Sequence, residues 1–185
     1  MSSYNVATRY ANALMELASE KDILNQVADD MQIVFNGIAS SKELRTILKS
    51  PVIRPEKKEA ILNDIFKDKV GDETNSFIQF IVKKNREDII YDILKRFKEL
   101  YNIKINRVEA HIKSFVELTE AQKEQLQNSL EEFTKKEVMP FYSIDESLIG
   151  GFVVKINDTV LDSSIKQQLD RLRKKLFEQN DIILN

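Results

Sequence analysis

The hydrophobic spacing of this chain changes period once, near residue 105, and that change limits what it can fold into. Up to about residue 104 the apolar residues recur at helical steps. Val6, Tyr10, Leu14 and Leu17 form one stripe, with Ala7, Ala11 and Ala18 beside it, where small side chains let a second helix approach closely. A second helix carries Leu24, Val27, Met31, Val34, Phe35 and Ile38 and is expected to break at Gly37 to Ser41. A short third segment with Leu44, Ile47 and Leu48 stops at Ser50-Pro51. Pro55 opens a fourth helix with Ile61, Leu62, Ile65 and Phe66, since proline is tolerated in a first turn. Gly71-Asp72 opens a fifth, Thr74 to Lys84, and a sixth keeps Ile90, Ile93, Leu94, Phe97, Leu100 and Tyr101 in step. Short helices joined by short turns predict a six-helix bundle over residues 1–104.

Beyond that point the period is two. Val108, Ala110 and Ile112 alternate with Glu109, His111 and Lys113, the pattern of a half-buried strand. Thr119-Glu120-Ala121-Gln122 has the form of a capping box, and Leu126, Leu130 and Phe133 follow on one helical face. Pro140 to Ser143 reads as extended, Phe152, Val154 and Ile156 alternate again, and Asn157-Asp158 suits a tight turn into Thr159-Val160-Leu161. Asp162 can cap a last helix with Ile165, Leu169, Leu172 and Leu176 on its apolar side. The predicted fold is therefore mainly α with a smaller α+β part: the bundle, then a small strand-helix-strand-helix domain over residues 105–185.

Little in this chain can do chemistry. It has no cysteine and one histidine, His111, whose strand parity turns it to solvent, so neither a thiolate nor an ordinary zinc site is expected. The glycine pair Gly150-Gly151 runs into a strand without the spaced glycines and lysine of a phosphate loop, and is read as a bend or bulge. Asp145 with Glu146, and Asp29 with Asp30, are read as solvated surface charge. With 28 basic against 30 acidic residues the net charge is -2, which argues against a dedicated nucleic-acid binder. No apolar run is long enough to span a bilayer, and the polar start gives no sign of a targeting peptide. No catalytic group, cofactor or metal is expected; the chain reads as a protein that holds others together.

Two helices carry the interaction signal. The last one sets Lys166, Arg171, Arg173, Lys174 and Lys175 against Asp170 and Glu178. Cations near a helix C-terminus suit the helix dipole, or else form a docking surface for an acidic partner. In the fifth, Phe77, Ile78, Phe80, Ile81 and Val82 cover an arc of roughly 200° at about 100° per residue, wider than one core-facing stripe. Either that helix is central, which periodicity alone favours, or it also lines a groove for a partner's amphipathic helix.

Several segments together resemble the delta subunit of the rotary ATP synthases, the counterpart of the mitochondrial oligomycin-sensitivity-conferring protein. They are Ala7-Thr8-Arg9-Tyr10-Ala11-Asn12-Ala13-Leu14, Ser50-Pro51-Val52-Ile53 with Lys57-Lys58, and Phe77 to Val82 ahead of Asn85-Arg86. Val108-Glu109-Ala110, Leu118-Thr119, Asp145 to Phe152 and Asp162-Ser163-Ser164-Ile165 follow in the family's order, so the likeness covers nearly the whole chain. The resemblance implies a non-catalytic stator subunit. Its bundle would bind N-terminal helices of the alpha subunits through Tyr10, Ala13, Leu14 and Leu17 of the first helix and Phe77, Phe80 and Ile81 of the fifth. Its C-terminal part would meet the b subunits of the peripheral stalk, with Ile165, Leu169, Leu172 and Lys174 as the stalk side. The same resemblance implies a peripheral place on the cytoplasmic face of the bacterial plasma membrane, reached only through the complex.

Overall fold

The computed structural model describes residues 3–183, with side chains from residue 4 to residue 174. Among them the chain forms eight α-helices and one four-stranded sheet. It divides into two compact units, Met1–Lys104 and Ile105–Asn185.

The first unit contains α1 (Ser3–Glu20), α2 (Leu24–Ser40), α3 (Lys42–Lys49), α4 (Pro55–Phe66), α5 (Asp72–Lys83) and α6 (Ile90–Lys104), with a 3-10 turn at Glu87–Ile89 leading into the last. These helices share one hydrophobic core. On α1 the buried stripe is Ala7, Ala11, Leu14 and Ala18, and α1 lies closely along α6, as small side chains permit. Gly37 does not break α2, which continues to Ser40; instead the Phe66 ring of α4 occupies the space a Cβ would take. The helix ends where Arg45 of α3 donates from its guanidinium to the Ile38 and Ala39 carbonyls, satisfying acceptors that a helix C-terminus leaves open.

Two buried polar contacts fix the helices relative to one another. Lys58 of α4 donates to the Leu48 carbonyl at 2.9 Å and to Glu87 Oε1 at 2.8 Å, with both charged side chains almost fully buried. Asp30 of α2 is the second. Its Oδ2 accepts from the Gly71 N–H at 2.8 Å and from the Thr74 hydroxyl at 2.9 Å, capping α5 from a neighbouring helix. The expectation that Asp30 is surface charge is therefore corrected. It stands three residues after Val27 and four before Val34, on the buried stripe of α2.

In the second unit β1 (Arg107–Ser114), α7 (Glu120–Thr134) and β2 (Glu137–Ile144) form a parallel pair with a helical crossover, in register from Arg107↔Glu137 to Ser114↔Ile144. After a 3-10 turn at Glu146–Leu148, β3 (Phe152–Ile156) runs antiparallel to β1, and β4 (Thr159–Asp162) returns beside β3, giving the order β2-β1-β3-β4. Pro140 is accommodated because β2 is an edge strand. The capping box at Thr119 and Gln122 is formed in both directions. Val108, Ala110, Ile112, Leu130, Val138, Val154 and Ile156 make the core. His111 lies on the other face, stacked on Phe141 with ring centroids 5.2 Å apart. α8 (Ile165–Ile183) ends the described chain; the side chains of Leu176 and of the apolar tail Ile182 to Leu184 fall outside the described ones.

Candidate partner-binding surfaces

The arc of α5 serves two surfaces at once. Thr74, Ile78, Ile81 and Val82 point into the core, while Phe77 is half-buried and Phe80 is 45% exposed. On α1, Tyr10 is half-buried, Ala13 is exposed and Leu17 is 41% exposed, at steps of three and four residues along one edge of the buried stripe. The Tyr10 and Phe80 rings approach to 6.1 Å at 51°, and Lys21 at the end of α1 pairs with Glu73 in the first turn of α5 at 3.1 Å. Those two contacts make α1 and α5 antiparallel, with an apolar edge running between them.

Its borders are charged. Lys84 sits over the Phe80 ring at 5.5 Å, a cation–π contact that keeps the ring oriented while its edge stays in water. At the other end, donation from the Lys21 ammonium holds the Glu73 carboxyl below its ordinary value. Asp30 completes the arrangement, because α5 has no side-chain cap of its own and its first turn is anchored by that carboxylate.

Of the seven residues expected at this groove, Tyr10, Ala13, Leu17, Phe77 and Phe80 are exposed or half-buried, and the structure brings Tyr10 and Phe80 into ring contact. Leu14 and Ile81 are corrected: at 2% and 1% exposure they belong to the core and have no free face. The physical reason is the width of the α1 stripe. Leu14 shares its face with Ala7, Ala11 and Ala18, and Tyr10 and Leu17 lie at the margin of that face. Asp30 and Lys58 were missed as organising residues. Each occupies a helical step among apolar residues, Lys58 four before Leu62 and eight before Phe66, and that is the signal that could have found them.

A second surface is α8. Ile165, Leu169 and Leu172 form a stripe at steps of four and three, and all three are exposed, as is Lys174. From Gln168 to Lys174 no side chain is covered. The helix is held at its start. Gly150 and Gly151 precede β3, the Ile165 N–H donates to the Gly150 carbonyl at 3.0 Å, and the Ser163 N–H donates to the Phe152 carbonyl at 2.9 Å. Gly151 has φ +76°, and a Cβ there would strike the Ser163 carbonyl oxygen. The glycine pair is thus the seat of α8 and not a ligand loop. Asp162 accepts from the Ser164 N–H at 2.9 Å, and bonds from the Ser164 hydroxyl and N–H hold its carboxyl below the ordinary value. Asp145 is held low in the same manner by Ser147, with Lys113 adding to the effect. Among the described residues no group of side chains could hold a metal ion, and no helix is long and apolar enough to cross a membrane.

The structure thus has an apolar edge between two helices in one unit and an exposed amphipathic helix, Ile165 to Lys174, in the other. Comparison with known sequences and folds gives the family. The profile of the ATP synthase delta (OSCP) subunit family matches residues 6–176. Among curated relatives, the ATP synthase subunit delta of Chlorobaculum tepidum is 38% identical over 179 residues, covering 97% of this chain and 99% of its own. That of Chlorobium phaeovibrioides is 40% identical over 176 residues, covering 95% and 97%, and that of Desulforamulus reducens is 37% identical over 174, covering 94% and 96%. A chain of the Toxoplasma gondii mitochondrial ATP synthase hexamer shares the fold, with a TM-score of 0.73 at 22% identity over 92% of this chain and 97% of that one. This chain belongs to the ATP synthase delta (OSCP) subunit family. It is a structural subunit and not an enzyme.

Proposed function

We propose that this subunit is the stator link between the catalytic head and the peripheral stalk. Residues 1–104, a six-helix bundle, take an N-terminal helix of an alpha subunit along the edge between α1 and α5. Residues 105–185 meet the b subunits, with the stripe Ile165, Leu169 and Leu172 and the neighbouring Lys174 on the stalk side. The observation that carries the reading is Phe80. It is a large aromatic left 45% exposed on a helix that buries Ile78, Ile81 and Val82, and its ring lies beside that of Tyr10. An amphipathic helix laid there would cover those rings through its own residues at steps of three and four.

The mechanical logic follows. A rotating shaft puts torque on the head, and the link must resist it without chemistry. Two apolar attachments on one chain raise the effective concentration of each for the other, so the link holds although neither attachment is covalent. The subunit then sits peripherally on the cytoplasmic face of the bacterial plasma membrane, reaching the membrane only through its partners. Reconstitution tests this: with purified head and b subunits, the chain is expected to carry b into the head fraction on a density gradient. Leu169→Asp with Leu172→Asp should keep the chain on the head and lose b. Migration of b with the head in that variant would overturn the assignment of α8.

A further inference from the structure

In residues 105–185 the core face of the sheet buries Val108, Ala110, Ile112, Val138, Val154 and Ile156 but leaves Phe152 and Leu161 half-buried. Four strands about 4.8 Å apart present a face wider than one helix of about 10 Å can cover, and two-layer α/β units normally lay two helices across it. α7 takes the β2 side, through Leu130 in the core and through Gln127 and Glu131, which bond the Val138 backbone. Beside α7 there is a cavity of about 520 Å³, lined among others by Leu118, Gln125, Leu126, Ser129 and Phe152. Phe152 and Leu161, which share the parity of Val154 and Ile156 on this face, are only half-buried.

The rim of that cavity is Gly150 and Gly151, the point from which α8 departs. α8 carries what the cavity lacks, an exposed aliphatic stripe of Ile165, Leu169 and Leu172 extending about 10 Å along the helix. The charges match as well. α7 has four glutamates against one lysine, and Glu124 and Glu132 lie on the outer surface of α7, which meets the cavity at Gln125 and Ser129. The first ten residues of α8 have four cations, Lys166, Arg171, Arg173 and Lys174, against Asp170 alone.

We propose that α8 is the second helix of this layer, and that it closes onto the groove between α7 and β3 by turning about Ser163–Ser164. The described form is the open one. Closing buries the stripe against Leu118, Leu126 and Phe152, brings the α8 cations to the α7 glutamates, and removes the stripe from any outside helix. The unit would thereby cover its own sticky surface until a partner displaces α8. This goes beyond the stalk reading and does not depend on it.

The chain has no cysteine, so engineered pairs report without background. In the full chain, oxidation of S129C/L169C at micromolar concentration is expected to give an internal disulfide. It should form about tenfold or more faster than in S129C/D170C, where the second thiol is turned about 100° away from the stripe. Adding Leu172→Glu should slow the first pair by a similar factor without changing the helical circular dichroism signal, since Leu172 is exposed in the open form. Equal rates in the two pairs, an unchanged rate with Leu172→Glu, or disulfide-linked dimers as the main product would each overturn the proposal.

Discussion

Single buried polar groups do much of the positioning in this subunit. Lys58 and Glu87 are the clearest case, joined at 2.8 Å with the second Glu87 oxygen buried and without a protein partner. Removing one member leaves the other charge buried, so Lys58→Met is expected to cost about 3–5 kcal/mol. Lys58→Met with Glu87→Leu should recover most of that, because an apolar pair of similar volume replaces the ions. Urea unfolding of the two variants, followed by the helical circular dichroism of the chain, measures the difference. At the other end of the chain, Asp162 has its carboxyl held low by Ser164. A depressed carboxylate contributes stability above its unfolded value of about 4, and the contribution is lost as pH falls through the lower folded value. Ser164→Ala should move the Asp162 titration upward and weaken the start of α8, whose Gln167 N–H it caps at 3.2 Å. Carbon-detected NMR of the Asp162 carboxyl reads the shift. None of these roles shows in composition. Lys58 and Asp30 are visible only as charged residues occupying apolar steps, and their partners lie 29 and 44 positions away, whereas Asp162 was legible as a local cap.

At the scale of elements, the periodic segments were legible and the seams between them less so. Pro55 does open α4, Thr119 and Gln122 do form a capping box, and the alternation at Val108, Ala110 and Ile112 is the buried face of β1. The width of the α5 arc left two readings open, with periodicity favouring central burial, and the arc divides between buried Ile78, Ile81 and Val82 and the exposed Phe80. Sequence spacing could not divide that arc between core and edge, because Ile81 and Phe80 are equally apolar and only packing tells them apart. The break expected from Gly37 to Ser41 falls at Ser41, the far end of that span, because Gly37 makes room for Phe66 and does not stop the helix. Gly150-Gly151 was legible as a bend, but its job of seating α8 was not. Gly151→Ala is expected to unseat that helix. A β-carbon would strike the Ser163 carbonyl at a positive φ, so amide exchange at Ser163 and Ile165, whose N–H groups bond back across the seat, should speed by tenfold or more, about 1.4 kcal/mol. Protection of the β1 amides should change little.

For the whole molecule, binding along the α1–α5 edge requires that edge to be a surface and not exposed core. Leu14 and Phe80 separate those alternatives. Leu14 is buried, so Leu14→Ala should cost about 2–5 kcal/mol of stability. Phe80→Asp should cost little stability and much affinity, since its ring is 45% exposed. The most direct measurement is a calorimetric titration of the full chain with a peptide copying the N-terminal helix of an alpha subunit from the same ATP synthase. Binding at micromolar concentration, weakened about tenfold or more by Phe80→Asp while the helical circular dichroism is unchanged, is the expected result, a loss of at least about 1.4 kcal/mol. No binding, or binding that Phe80→Asp leaves intact, would contradict the account.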